Sequence, residues 1–504
     1  MRSLYVGCVS LFVCLLSACS SGSSNGSSSS SSTTDMGTIA GIDSTYTITI
    51  QNAVSGMVLG VSGQSQSSLA NVVQESSSTT TTNDKYWHVL PMNSYEYNVE
   101  NMLTHQLMSV SGASTTDGAQ VVQSPDTGKG GMLWRFYLLT DGNYLIQNVN
   151  SGLYLEDVDS RPDTSAMIAQ GSRTSGTTGC ECQEWKISST KTAAYPSPEK
   201  VTATYSSAYS DTESIGIHDP SMLKVGSNYY LYTTHGALHA HSSSDRKNFV
   251  DEGYAMNSVP SWASIYNGSD DDLWAPDVSY HSTSSTPYWM YYASSTFGSY
   301  TSGIGIAYSE TGAPNSFADS GSAIYYSSRC SGANAIDPSS TVDTSGNAWM
   351  VFGSFDQGIF MVPVDSSTGI PSSTAKCTRV AYHSSGTGLE GAYIYQHGGY
   401  YYLFASVDAC CSGTSSTYRI VVGRSSTING TYYDRGGTAM TSGGGTILLS
   451  THGTVIGPGG QGVLSDLDGD ILVYHYYDGT NNGYPVLGLN VLGWDSDGWP
   501  YISQ

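Results

Sequence analysis

Hydrophobic positions in this chain fall in short runs, and the runs recur. In the C-terminal part, five apolar and mostly aromatic runs stand at 229–232, 288–291, 348–351, 400–403 and 471–474. Shortly before each lies a polar or acidic segment that opens a shorter apolar run. These segments are His218-Asp219-Pro220-Ser221, Ala275-Pro276-Asp277-Val278, Ile336-Asp337-Pro338-Ser339, Leu389-Glu390-Gly391-Ala392 and Gly460-Gln461-Gly462-Val463. Runs of this length, rich in Tyr, Trp, Val and Ile and bounded by Gly, Ser and Asn, predict β-strands. The five segments follow one another at 58, 60, 53 and 71 residues. Such a period, with several strands per unit, predicts a five-bladed β-propeller. In that ring the first strand of each blade lines the central channel, so residues at one register in different blades meet near the axis.

The N-terminal part repeats three times. Asn52, Asn101 and Asn148 head the units at spacings of 49 and 47 residues. Ser55, Thr104 and Ser151 follow in step, as do Leu59, Met108 and Leu155, then Ala70, Ala119 and Ala166, then Gln74, Gln123 and Gln170. Each unit closes on a tryptophan in an apolar strand, and Trp87, Trp134 and Trp185 are expected in the core. Three such units, none able to bury its face alone, predict a small closed β fold. The block resembles the ricin-type β-trefoil, a carbohydrate-binding lectin fold, although the Gln-x-Trp of that family stands only at Gln183-Glu184-Trp185. The resemblance implies sugar binding; a spacer domain is the alternative.

The expected fold class is therefore all-β, a five-bladed β-propeller preceded by a β-trefoil. The trefoil is expected over 45–187 and the propeller over 205–504, with a linker at 188–204 that holds Pro196 and Pro198. Residues 20–44 form a Ser-rich stretch of flexible-linker composition. Before it, Arg2 and an apolar run over 4–16 have the form of an export signal, too short to span a membrane. The run ends in Leu16-Ser17-Ala18-Cys19, which resembles a bacterial lipobox and implies lipidation at Cys19. The expected location is the bacterial cell surface or outer membrane, or else the medium.

Charge narrows the partners. Lys and Arg number 18 against 41 Asp and Glu, a net charge of −23. That balance argues against nucleic acid, which needs a basic footprint. It also argues against a polyanionic substrate, and leaves a lipid anchor as the only expected membrane contact. Charged residues make up only 12%, with 57 Gly and 38 Tyr, a composition suited to an exported all-β protein. Beyond Cys19 stand six cysteines, Cys180, Cys182, Cys330, Cys377, Cys410 and Cys411. An even set in an exported chain permits disulfides. Their pairing stays open: Cys410 and Cys411 either join each other or pair elsewhere.

The propeller register gathers Asp219, Asp277, Asp337 and Glu390. Crowded carboxylates with few cations cannot all ionise. Like charge and burial raise some pKa values, and hydrogen bonds hold others low. One residue type then supplies both an acid and a base, as glycoside hydrolysis requires. Taken singly, Asp-Pro and Glu-Gly are also ordinary turn pairs. The four acidic segments, together with the stretches at 295–299, 416–425 and 473–477, resemble glycoside hydrolase family 43, above all its endo-α-1,5-L-arabinanases. The resemblance implies Asp219 as general base, Glu390 as general acid, and Asp337 as the residue that raises the pKa of Glu390 and orients it. It also implies inversion of configuration, with base and acid carboxylates roughly 6.5–9.5 Å apart.

The remaining candidates each carry two readings. Trp274 and Phe297, in matching segments, offer stacking faces to sugar rings or are buried in the blade. Asp277 binds a sugar hydroxyl or holds a turn. Arg419 pairs with a carboxylate near the site or forms an inter-strand salt bridge. His475 is a core histidine by its apolar neighbours. By the resemblance it holds a metal, usually calcium, at the base of the channel with water as most of the other ligands. Calcium otherwise prefers many oxygen ligands. No organic cofactor is expected. His239 and His241 alternate along one expected strand without a third ligand and read as surface residues. The glycine-rich stretch at 457–462 is expected to be a loop near the channel mouth.

The expected function is hydrolysis of internal bonds in arabinan, a neutral side chain of plant pectin, by a monomeric, surface-anchored enzyme. An exo-acting arabinofuranosidase or xylosidase on the same fold is one alternative. A non-catalytic glycan-binding surface protein is the other.

Overall fold

The computed structural model describes residues 36–77, 83–126, 130–158, 162–173, 180–204, 216–268, 272–330, 332–383 and 388–503. The export signal with Cys19, and residues 20–35 of the Ser-rich stretch, lie outside the described residues.

The N-terminal units form a β-trefoil because each repeated polar position does one job three times. Asn52, Asn101 and Asn148 donate a side-chain N–H to the carbonyls of Cys182, Asp84 and Gly131, at 2.9, 2.8 and 2.9 Å. Each of those carbonyls lies in the turn that leads into a tryptophan strand. The indole N–H groups of Trp87, Trp134 and Trp185 donate to the carbonyls of Leu59, Met108 and Leu155, at 3.1, 2.9 and 3.0 Å. The hydroxyls of Thr104 and Ser151 bond Gln123 and Gln170 at 2.7 and 2.6 Å, and Ser55 bonds Gln74 in the same way. The carbonyls of Ala70, Ala119 and Ala166 accept the N–H groups of Gln123, Gln170 and Gln74, which links the three units in a ring. Buried polar groups are thus satisfied within the repeat, and the three tryptophans lie fully buried in one apolar core.

The C-terminal part is a propeller of five antiparallel blades. Their innermost strands are Ser221–Val225, Trp274–Tyr280, Ser339–Val342, Leu389–His397 and Val455–Asp466. The aromatic runs form the second strands: Asn228–Thr233, Tyr288–Ser294, Ala348–Phe352, Tyr400–Val407 and Gly469–Asp478. They are covered on both sides, which is why they read as continuous apolar runs rather than as alternations. The ring closes between the last blade and the first, where the Ile217 N–H bonds the Pro485 carbonyl at 3.1 Å. Because second strands run antiparallel to first strands, the loops after the second strands lie at the same end of the ring as the starts of the first strands. Phe297, Ser354 and Tyr418 are in or beside those loops.

Several expectations change here. The 188–204 stretch is built into the molecule rather than free: the strand Trp185–Ala193 extends the trefoil sheet, and Thr202–Ala203 pairs with the outer strand of the first blade. Tyr195 between them is buried and donates its hydroxyl to Glu100 at 2.7 Å. His239 and His241 are not surface residues. Their strand, His239–Ser243, is enclosed by its neighbours, and both rings are buried. His239 lies 3.2 Å from the Asp251 carboxylate. The 457–462 stretch is part of the strand Val455–Asp466 rather than a loop. The six cysteines pair as Cys180–Cys182, Cys330–Cys377 and Cys410–Cys411.

The two domains share a packed interface. Leu90, Leu107 and Met132 of the trefoil join the apolar cluster of the fourth blade, with Leu389, Leu403 and Val421. Beside it the Ser68 N–H bonds the Gly436 carbonyl at 3.2 Å, and the Ser68 and Thr438 hydroxyls bond each other at 2.9 Å.

Candidate active site

At one shared position, at or inside the start of its inner strand, each blade has a residue with left-handed backbone: Asp219 (φ 46°), Ala275 (φ 45°), Asp337 (φ 52°), Gly391 (φ 60°) and Gly460 (φ 60°). This is the register that the blades share, and it corrects the one expected from the sequence. Asp219 and Asp337 sit on it. Glu390 stands one residue before it and Asp277 two residues after. Bulges in the ladders between Trp274 and Asp277, and between Glu390 and Tyr393, absorb the offset. Non-glycine residues with positive φ are strained, and such strain collects at functional sites. At Gly460 a side chain is excluded, since a Cβ there would lie 2.7 Å from His475 Nδ1 and 2.8 Å from Asp219 Oδ1.

A belt of hydrogen bonds joins the blades around the axis. The Val278 N–H bonds Ser221 Oγ at 2.9 Å, the Ser340 N–H bonds Asp277 Oδ2 at 2.8 Å, and the Gly391 N–H bonds Asp337 Oδ2 at 3.0 Å. Gln461 Nε2 donates to the Gly391 carbonyl at 2.5 Å, and the Asp219 N–H donates to His475 Nδ1 at 3.1 Å. Asp219, Asp277 and Asp337 line one cavity with Gly391 and Gly460. Four of the five blades thus bring their predicted acids, or the residue next to one, to the same place.

Glu390 is buried. Ser354 Oγ donates to its Oε2 at 2.6 Å, and the Tyr418 hydroxyl bonds its Oε1. Burial pushes Glu390 up to about 7; the Asp219 charge adds to the rise and the Ser354 bond opposes it. Asp337 is also held well above the usual carboxylate range, by burial first and then by Glu390 and Asp219, against the pull of the Gly391 N–H. Asp337 and Glu390 therefore cannot both ionise near neutral pH. Asp219 differs in surroundings: its side chain is 33% exposed and accepts a bond from Thr234 Oγ1 at 2.7 Å. Thr234 Oγ1 also accepts the Ala275 N–H at 2.9 Å, tying the first blade to the second.

The other candidates separate. Phe297 is 81% exposed on its loop at the channel end, as a stacking face requires and a core residue would not be. Trp274 is half-buried at the start of its strand. Asp277 is buried, with one oxygen spent on the Ser340 N–H, and burial pushes it up to about 7. Arg419 is not in the cavity. It is 2% exposed, with its guanidinium on Asp408 and on Asp126 of the trefoil, so it pairs with carboxylates at the domain interface and not with those of the cavity.

His475 is buried and its pKa is lowered to about 3, by burial and by His218 against the pull of Asp219. His218, Asp219 and His475 offer ligand atoms within 4.8 Å of one another. His475 Nδ1 accepts the Asp219 N–H, while its Nε2 is buried with no hydrogen-bond partner among the described residues. Two imidazole nitrogens and one carboxylate fit a divalent cation that accepts nitrogen ligands. Calcium would draw only one protein oxygen from this set.

Sequence reasoning missed Tyr418, Ser354, Thr234 and His218 as functional residues. Thr234 and Ser354 both stand in the loops just beyond the aromatic runs, two and three residues past them, so they share a region but not a register that spacing could reveal. Tyr418 lies inside the matching stretch 416–425 but draws no attention without its contact to Glu390.

Residues 214–500 match the family model for glycosyl hydrolases family 43. The chain belongs to that family. Residues 38–124 and 132–196 match the ricin-type beta-trefoil lectin domain-like model. An extracellular endo-alpha-(1->5)-L-arabinanase of Bacillus subtilis is 41% identical over 289 residues, which cover 56% of this chain and 87% of that protein. The solved alpha-L-arabinanase of Cellvibrio cellulosa in complex with arabinohexaose is 32% identical with a TM-score of 0.54, over 57% of this chain and 96% of that one. A solved exo-1,5-alpha-L-arabinanase from a bovine ruminal metagenomic library is also 32% identical, with a TM-score of 0.53, over 57% of this chain and 97% of that one. The protein is a glycoside hydrolase with a lectin-like domain joined to it.

Proposed function

We propose that this chain hydrolyses internal α-1,5-L-arabinofuranosidic bonds of arabinan with inversion, with Asp219 as base and Glu390 as acid. The observation that carries this reading is the contrast between Asp219, which lines the cavity, and Glu390, which is next to the cavity-lining Gly391 and near enough to feel the Asp219 charge. Glu390 is buried and pushed up to about 7, whereas Asp219 is part-exposed. Relatives named as arabinanases at about 40% identity support the substrate. Glu390 gives its proton to the glycosidic oxygen as the C1–O bond breaks. A water on the opposite face of the furanose attacks C1, and Asp219 takes a proton from that water. The products are two shorter chains, the new reducing end carrying the inverted configuration. Asp337 accepts the Gly391 N–H, which fixes the backbone behind Glu390, while the rise of Glu390 comes from burial and from Asp219. Phe297 and Trp274 offer stacking faces to the bound chain.

A divalent cation held by His475, with His218 and Asp219 beside it, would supply positive charge at the floor of the channel. Calcium is the ion that the family resemblance implies. The trefoil binds the same neutral polysaccharide, and the chain acts as an exported, lipid-anchored monomer; a relative named as extracellular supports the export.

Incubation with linear α-1,5-arabinan tests the reading. Early release of mixed oligomers, with the inverted anomer seen first by proton NMR, is expected. An exo mode has specific support in the solved exo-acting relative, and arabinose alone as the early product would establish it. Retained configuration would remove Asp219 from the role of base.

A further inference from the structure

Arg419 is a buried cation whose counter-ion comes from the other domain. It opens the strand Arg419–Ser425 and directly follows Tyr418. Its guanidinium forms an ion pair with Asp408, at 2.8 Å, from the loop start just beyond the strand Tyr400–Val407. The same guanidinium bonds Asp126 of the trefoil, which is 4% exposed. Asn98, also of the trefoil, accepts from Arg419 Nη1 and Nη2 at 3.1 and 3.0 Å in the amide orientation that lets it donate to the Met132 carbonyl. An arginine enclosed in this way is costly unless its charge is matched, and removing one partner leaves an uncompensated buried charge.

Asp408 and Arg419 are the two feet of one loop. Just inside them the Thr417 N–H bonds the Ala409 carbonyl at 2.9 Å, and the Ala409 N–H bonds Thr417 Oγ1 at 3.2 Å. Between Thr417 and Arg419 stands Tyr418, buried, with its hydroxyl on Glu390 Oε1. Higher in the loop the Cys411 N–H bonds the Tyr477 hydroxyl at 2.7 Å, and the Tyr477 ring packs edgewise on His218 and His475. The foot of the loop is therefore set by the trefoil, and the group next to that foot holds the carboxyl to which the acid role is assigned.

We infer that Asp126 is a positioning residue for the acid: by pairing with Arg419 across the domain interface it fixes the loop foot that aims Tyr418 at Glu390. The trefoil is on this account part of the catalytic unit and not only a sugar-binding appendage. The inference rests on Glu390 being the general acid.

The test uses the full chain and two substrates with the same glycone. One is an arabino-oligosaccharide, whose sugar leaving group needs a proton. The other carries a dinitrophenyl leaving group, which departs without one. Asp126→Asn keeps the shape and removes the charge. It should lower kcat on the oligosaccharide by about tenfold or more, leave KM and the dinitrophenyl rate within about twofold, and keep one cooperative melting transition. Tyr418→Phe should give the same pattern, and the double variant should fall little below the worse single one, because both act through one path. Equal losses on both substrates, or no loss on either, would overturn the inference. If Asp126→Asn does not fold, Asn98→Ala, which touches the same arginine from the same domain, is judged by the same outcomes. Glu390→Gln separates the two readings. If it slows both substrates alike, the acid assignment itself fails. If it shows the leaving-group pattern and Asp126→Asn does not, only the role of the trefoil fails.

Discussion

Asp219 and Asp337 hold the same left-handed backbone, φ 46° and 52°, two blades apart, and each precedes a proline. Their carboxyl groups reach one cavity although 118 residues separate them in the chain. A non-glycine residue in this conformation costs on the order of 1–3 kcal/mol, and here the cost falls on two of the acids proposed for the chemistry.

Replacing either acid should therefore separate stability from activity. Asp337→Gly is expected to be more stable than Asp337→Ala by about 1 kcal/mol, because glycine takes positive φ without strain. Both variants should lose nearly all hydrolysis. Calorimetric melting of the pair, alongside rates on arabinan, checks this; an alanine variant as stable as the glycine variant would show that the backbone is relaxed.

The rate on arabinan should fall as pH rises through about 7, because Glu390 gives up its catalytic proton there. Ser354→Ala removes a bond that favours the charged form. The pKa of Glu390 then goes up, so the alkaline limb of the pH–rate profile should move to higher pH while the maximum rate drops. A limb that stays in place, or moves to lower pH, counts against the assignment.

Asp277 predicts a pH effect on stability. Burial raises its folded-state pKa from 3.8 to about 7. A raised folded pKa gives stability that is fully present below the unfolded value and is lost as pH rises through the folded one. Asp277→Asn keeps an oxygen to accept the Ser340 N–H but cannot ionise. Between pH 4 and 7 its melting temperature should change less with pH than that of the parent, by an amount equivalent to a few kcal/mol at most. Parallel curves would place the titration elsewhere.

The histidine cluster predicts a dependence on metal. Dialysis against a chelator should lower the melting temperature, and a divalent cation added back should restore it. In His475→Gln the same treatment should change nothing. A parent protein that melts alike with and without chelator would leave the three side chains as a polar floor only.

Much of this was legible beforehand. The Asn, Ser/Thr, Gln and Trp positions of the trefoil could be found by spacing because each makes one hydrogen bond repeated in every unit. The propeller was legible because blade packing demands an apolar second strand in each blade. The acids were found as a set, yet their register was misread. Asp277 and Asp219 look equivalent beside a proline, but the left-handed residue of the second blade is Ala275. Identity at a position does not reveal backbone angle there. His239 and His241 misled for a related reason: alternation along a strand looks the same whether the strand faces water or another blade.

The sequence by itself determined what is local or periodic: strand runs, the threefold and fivefold repeats, the three core tryptophans and the segments that hold Asp219, Asp337 and Glu390. Tertiary structure alone decided which side chains meet across blades and across domains. Arg419 and Asp126 are 293 residues apart, and nothing in either neighbourhood names the other. A buried charge is satisfied by whatever group the fold brings within reach, so its partner becomes visible only once the two domains are packed together.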